Sequence, residues 1–312
     1  MKVGLCLASG AARGWAHVGA LQALEEMGVK PDVIAGASIG ALVGGAWILD
    51  ELDALMAWAE ALSPLNAFQN FDVMLNRGGL VKADKAFDIF RNKDKNIEDL
   101  PIAFGASAVD LATGKETWLT KGSLIDAAQA SAAIPVLFHA VERDGRWLVD
   151  GALANPMPVN LARALGADLV IAVDLLAYPR VLDRFNPPPA SPPALRPQQE
   201  RSDSGVFPEA VTQFISDTRA YVDEQIAFAK ARAKAKPQLF ETAMATAEIF
   251  QANLTAARVQ SEPPDIHIKP RVRDSLPTAL DKADEYIEEG YRATMALRRD
   301  IETAIETALA KG

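Results

Sequence analysis

Between Asp32 and Asp50 the chain runs for seventeen residues without a charge, VIAGASIGALVGGAWIL. No other feature constrains the fold as strongly. The run is marginally long enough to span a bilayer, where roughly 20 apolar residues are needed, but its glycines and the acid at each end argue instead for a buried strand followed by a buried helix. Its first residues suit a buried strand, DVIAGA. From Ser38 to Leu49 the small and aliphatic residues suit a buried helix. Upstream, KVGLCLA (2–8) reads as another short buried strand, and WAHVGALQALEEMG as a helix stopped by Gly28. Strand, helix, strand and helix in that order imply parallel strands joined by a right-handed crossover.

The pattern continues downstream. IAFGASAVDL and ETWLTK alternate like strands, and SLIDAAQASAA is a helix with a Ser cap. AVERDGRWLVDG is a hairpin turning at Asp144 and Gly145. A helix from Pro158 leads to Gly166, and ADLVIAVDL is a buried strand. The first 175 or so residues therefore read as an α/β sheet. After Tyr178 the chain turns Pro-rich and polar, FNPPPASPPALRPQQERSDSG, a composition that packs no core. Residues 206–235 are helical by pattern, with Phe207, Phe214, Tyr221 and Phe228 recurring every seventh residue. A helix over 239–258, a short strand DIHIK and a terminal helix over 277–310 complete the chain.

The totals exclude several classes of function. The formal net charge is -9 and the pI is near 5.0, unsuited to neutralising phosphates, so no nucleic-acid partner is expected. Cys6 is the single cysteine, which rules out an intrachain disulfide. With His17, His139 and His267 as the only histidines, the chain offers no metal-ligand cluster. The expectation is that it needs no metal and no cofactor. The opening MKVGLCLASG is too short and too soon interrupted by Arg13 and His17 to be a secretory leader. A cytoplasmic protein is expected, peripheral at the inner membrane face.

The chemistry concentrates in three places. Ser38 stands between Gly36 and Gly40 on a strand-to-helix turn, the pattern that holds a nucleophilic hydroxyl clear of a sheet. Its place at a helix N-terminus favours developing negative charge. The loop Ser9-Gly10-Ala11-Ala12-Arg13-Gly14 opens the preceding helix, and its successive N–H groups can form an anion-binding concavity. As a dinucleotide loop it fails, because Ser9 and Ala11 occupy glycine positions and no acid is well placed about 20 residues on. Asp150 ends a strand-like run and precedes Gly151, a suitable site for a base and equally for a turn aspartate. His267 is the rival base, since Ser38, Asp150 and His267 fall in α/β-hydrolase order.

Four stretches together resemble the patatin-like phospholipases, particularly the small bacterial members. They are GLCLASGAARGWAHVGALQAL, VIAGASIGALVGG, ASAAIPVLFHAV and WLVDGALANPMPV, and PPDIHIKP resembles the last strand of those proteins. The resemblance implies an α/β sandwich with a mostly parallel central sheet flanked by helices, plus a helical C-terminal insertion. It implies one patatin-like domain over 1–312, with a core at 1–177 and 238–310 and the insertion at about 179–237. It also implies a serine lipid acyl hydrolase with Ser38 as nucleophile and Asp150 as base. The oxyanion hole would be formed by Gly10, Ala11, Ala12 and Arg13, supported by Gly14, Gly36, Gly40 and Gly151. The expected partner is a lipid or acyl-ester substrate, met through peripheral membrane contact. Ser9 and Ala11 depart from the family's glycines, which motivates the alternative of a catalytically weak lipid- or partner-binding regulatory module. The aromatic stripe over 206–235 suits core packing, a homo-oligomer contact or a lid.

Overall fold

The two buried runs at the start of the chain become the centre of an eight-stranded sheet. The computed structural model describes residues 1–61, 88–135, 138–178, 221–223, 225–227, 239–272 and 282–311. Strand β1 is Val3–Leu7 and β2 is Val33–Ala37, joined through helix α1, Trp15–Glu26. Gly28 ends α1 with φ 72°, and Val29 N–H reaches back to Leu24 O, as a left-handed helix stop requires. Helix α2 (Ile39–Ile48) and α3 (Leu52–Ala61) follow. Then come β3 (Ala103–Asp110), β4 (Glu116–Leu119) and α4 (Leu124–Ser131), capped by Ser123 Oγ, which accepts from Asp126 N–H.

Strands β5 (Val141–Arg143) and β6 (Arg146–Asp150) form a hairpin. Its two loop residues, Asp144 and Gly145, both have positive φ, 52° and 71°, the geometry that matches strand twist. Helix α5 (Val159–Ala164), β7 (Leu169–Val173), α6 (Leu239–Ser261) and β8 (Ile266–Ile268) complete the sheet and its cover. Neighbours run β5-β6-β3-β2-β1-β7-β8, with β4 also on β3. The run β3-β2-β1-β7-β8 is parallel, and β4, β5 and β6 pair antiparallel.

Alternation assigns the two faces. Leu5, Leu7, Ile34, Ile171 and Val173 pack with α1, α2 and α4 in the larger core. Cys6, Ala8, Ala35, Val170 and Ala172 pack against α5 and Val259 of α6. The result is a mixed α/β sandwich with helices on both sheet faces.

One expected helix is two. In place of a single helix over 277–310, α7 spans Ala283–Met295 and α8 spans Arg298–Lys311; residues 273–281 lie outside the described residues. The apolar spacing Tyr286, Gly290, Thr294, Leu297, Ile301 runs straight through the break, so the pattern does not announce it. The cause is local. Thr294 Oγ1 donates to Gly290 O at 2.8 Å, a back-bond that bends helices. Leu297 N–H then turns to Thr294 O, tightening the last turn.

The chain divides into two compact units, Met1–Arg180 with Ala247–Gly312, and Val181–Thr246. The Pro-rich segment and most of the helix expected over 206–235 lie outside the described residues; within it, 221–223 and 225–227 are helical. Among the described residues no helix is long and apolar enough to cross a membrane.

Candidate active site

The register on β3 explains how two residues far apart in sequence meet. Strand β2 pairs along β3 as far as Ala37↔Ser107. Strand β6 pairs from the opposite direction and ends at Asp150↔Ala108. Strand β4 pairs with Ala106 through Val109, overlapping both. Since a strand has only two edges, β4 takes one, and β2 and β6 meet end to end on the other. Their carboxyl ends therefore face each other. Ser38 follows one and Asp150 ends the other, and Ser38 Oγ donates to Asp150 Oδ2 at 2.6 Å.

Close backbone packing holds this junction. Ser38 has φ 54° and ψ -122°, a conformation that costs about 1–3 kcal/mol and persists only where its surroundings impose it. A Cβ on Gly40 would lie 2.1 Å from Leu7 O, and one on Gly151 would lie 2.0 Å from Ser107 O. Ser38 N–H donates to Ser131 Oγ at 2.9 Å, and Ser131 Oγ donates in turn to Ser107 O at 2.6 Å. The other oxygen of Asp150, Oδ1, accepts from Ala152 N–H at 2.7 Å. Burial raises the Asp150 carboxyl to about 6, against the hydrogen bonds from Ser38 and Ala152 that draw it down. Asp150 is therefore mostly ionised at pH 7 and accepts a proton more readily than an exposed carboxylate.

The first loop lies beside this junction, since a Cβ on Gly14 would meet Ile39 Cγ1 at 2.0 Å. Residues Ala11–Gly14 form a 3₁₀ turn, in which Ala11 takes φ 51°. The turn's first bond runs from Arg13 N–H to Gly10 O at 3.2 Å. The N–H groups of Gly10, Ala11 and Ala12 precede that bond and have no partner within the turn. The backbone N–H of Arg13 is taken up by that bond, so Arg13 contributes its guanidinium. Nε donates to Gly10 O at 3.2 Å and Nη1 to Glu248 Oε1 at 2.8 Å. Behind the loop, the buried His17 donates through Nε2–H to Ala8 O at 2.7 Å. Burial lowers its pKa to about 4, so it is neutral. An activated hydroxyl, a buried carboxylate and open N–H donors can together carry out acyl transfer without a histidine.

The family model for patatin-like phospholipases matches residues 5–163, just over half of the chain. The chain belongs to the patatin-like phospholipase family. An uncharacterized NTE family protein of Mycobacterium tuberculosis is 41% identical over 176 residues, covering 56% of this chain and 49% of that protein. A second from the same organism is 36% identical over 201 residues, 62% of this chain and 34% of that protein. Patatin-like phospholipase domain-containing protein 7 of Mus musculus is 32% identical over 183 residues, 55% of this chain and 13% of that protein. The chain thus spans about half the length, or less, of these curated relatives. Among solved structures, VipD from Legionella pneumophila aligns with a TM-score of 0.43 at 15% identity, covering 96% of this chain and 67% of that chain.

In this patatin-like chain the third residue of a Ser-Asp-His order stays apart from the other two. His267 lies on β8 opposite Ala172, three strands from β2, or about 14 Å at the usual spacing. Its Nε2 meets Asp174 Oδ2 at 2.9 Å. His139 is exposed. The sequence reading gave no role to Ser131, Glu248 or Gln251. Ser131 sits inside ASAAIP, a stretch already singled out, so its position had a signal. Glu248 and Gln251 lie far along the chain on α6, and nothing local in the sequence marks them.

Proposed function

We propose that this chain is a serine lipid acyl hydrolase of the phospholipase A, lysophospholipase or esterase type. The observation that carries the reading is the 2.6 Å hydrogen bond from Ser38 Oγ to a buried Asp150 raised to about 6. In the proposed cycle Ser38 Oγ attacks the ester carbonyl carbon as its proton passes to Asp150. The carbonyl oxygen becomes an oxyanion and accepts from the N–H groups of Gly10, Ala11 and Ala12, each worth about 3 kcal/mol in the transition state. Collapse expels the alcohol, which takes the proton from Asp150 and leaves an acyl-Ser38 ester. Water then attacks that ester, giving its proton to Asp150. The second collapse releases the fatty acid and returns the proton to Ser38.

Family membership supports a lipid substrate, which the proposed enzyme would meet at a membrane surface. Labelling by a fluorophosphonate tests the reading. Wild type should label and hydrolyse short-chain esters, and Ser38→Ala should do neither. Hydrolysis retained in Ser38→Ala would defeat the proposal. Lipid binding without labelling in the wild type would favour a binding module on the same fold.

A further inference from the structure

Helix α6 touches the candidate site at three points along one stripe. Glu248, Gln251, Thr255 and Arg258 are spaced three, four and three residues apart, so they share one helix face. Glu248 Oε1 accepts from Arg13 Nη1 at 2.8 Å, with side-chain exposures of 8% and 3%. Gln251 Oε1 accepts from Ser9 Oγ at 3.1 Å. Arg258 Nε donates to Ala154 O at 3.1 Å, in the turn that follows Asp150, and Nη2 lies 3.5 Å from Glu116 Oε2. Thr255 is buried between these anchors. One helix face thus holds the loop on one side of the Ser38–Asp150 junction and the turn on the other.

We propose that α6 is a positioning strap for the loop of residues 9–14. Glu248 acts through Arg13 and Gln251 acts through Ser9. Arg13 grips Gly10 O from inside the loop, so the direction of its guanidinium fixes the peptide that carries the Ala11 N–H. A buried guanidinium without its carboxylate is costly, and one that turned away would leave Gly10 O with the Arg13 backbone N–H as its remaining donor. Ser9 of the loop and Gln251 of the helix face form a hydrogen-bonded pair. The Ser9 hydroxyl is held by the Gln251 side-chain oxygen. Neither Glu248 nor Gln251 touches the reacting atoms; both set the geometry of the donors.

The inference rests on reading the N–H groups of residues 10–12 as the oxyanion donors, and two readouts separate its failure from the failure of that reading. The first is amide hydrogen exchange of residues 8–14 in Glu248→Gln, expected to be at least tenfold faster than in wild type. Unchanged exchange overturns the strap, whatever the enzyme assay gives. The second is a cycle on short-chain ester hydrolysis with Gln251→Ala, Ser9→Gly and the pair. Gln251→Ala should lower kcat about tenfold, with KM within twofold, when Ser9 is present, and should have no effect in the Ser9→Gly background. An equal loss in both backgrounds would show that Gln251 does not act through Ser9. The cycle leaves Glu248 in place, so it stands even where Glu248→Gln fails to fold.

Discussion

Asp150 is held in an unfavourable state by its surroundings, and that sets its pH behaviour. Its carboxyl titrates at about 6 because it is buried, although two hydrogen bonds favour the charged form. As a base it must be unprotonated, so kcat/KM for a neutral short-chain ester should rise with pH and level off above an apparent pKa of about 6. A profile flat from pH 5 to 8 would remove Asp150 from the role. The buried charge also weighs on the fold. Asp150→Asn keeps the shape and removes the charge, so it should abolish turnover while raising stability at pH 7 by about 1–3 kcal/mol, read from the urea midpoint. Ser131 is the other residue with a testable share. Removing its hydroxyl leaves Ser38 N–H without the acceptor it now has, at a cost of about 1–3 kcal/mol. Ser131→Ala should therefore lower both stability and the labelling rate of Ser38. Ser38 and Asp150 stand out in the sequence because each sits beside glycines at a strand end. Ser131 lies in a stretch that stands out, but its role does not, because a serine at a helix end looks the same whether its hydroxyl meets water or a distant strand.

At the scale of elements, the local grammar was readable and the pairing was not. Alternating and apolar runs marked strands, Gly28 marked a helix stop, and Asp144-Gly145 marked the hairpin turn. No periodicity states that β4 takes one edge of β3 while β2 and β6 share the other, yet that arrangement brings Ser38 to Asp150. The split between α7 and α8 was equally hidden, because the apolar spacing continues through it. Helix packing supplies an independent test. A Cβ on Gly290 would fall 1.9 Å from Ala16 O, and one on Gly19 would fall 1.8 Å from Ile287 O, so α1 and α7 touch backbone to backbone. Gly290→Ala forces these helices apart and should destabilise the protein by about 1–3 kcal/mol or more, seen as a lower denaturation midpoint. A midpoint equal to wild type would show that the helices do not cross this closely.

At the scale of the whole molecule, two buried groups beside the candidate site pull the acid stability in opposite directions. Asp150 titrates at about 6 when folded, against an ordinary value of 3.8. Between those pH values the folded state holds the extra proton, so its contribution is present at low pH and is lost as pH rises through 6. His17 titrates at about 4 when folded, against an ordinary 6.5. There the unfolded state holds the extra proton, so its contribution is present above pH 6.5 and is lost as pH falls through 4. Each amounts to about 3 kcal/mol at 1.36 kcal/mol per pH unit, so in wild type the two nearly cancel from pH 4 to 6.5. Single variants should expose the halves. Asp150→Asn leaves His17 alone, and stability should climb by about 3 kcal/mol from pH 4 to 7. His17→Gln leaves Asp150 alone and keeps an N–H donor for Ala8 O, and stability should fall over the same interval. Urea midpoints at pH 4, 5, 6 and 7 for the three proteins decide the matter. Parallel curves would mean that neither group is held away from its ordinary titration by the fold.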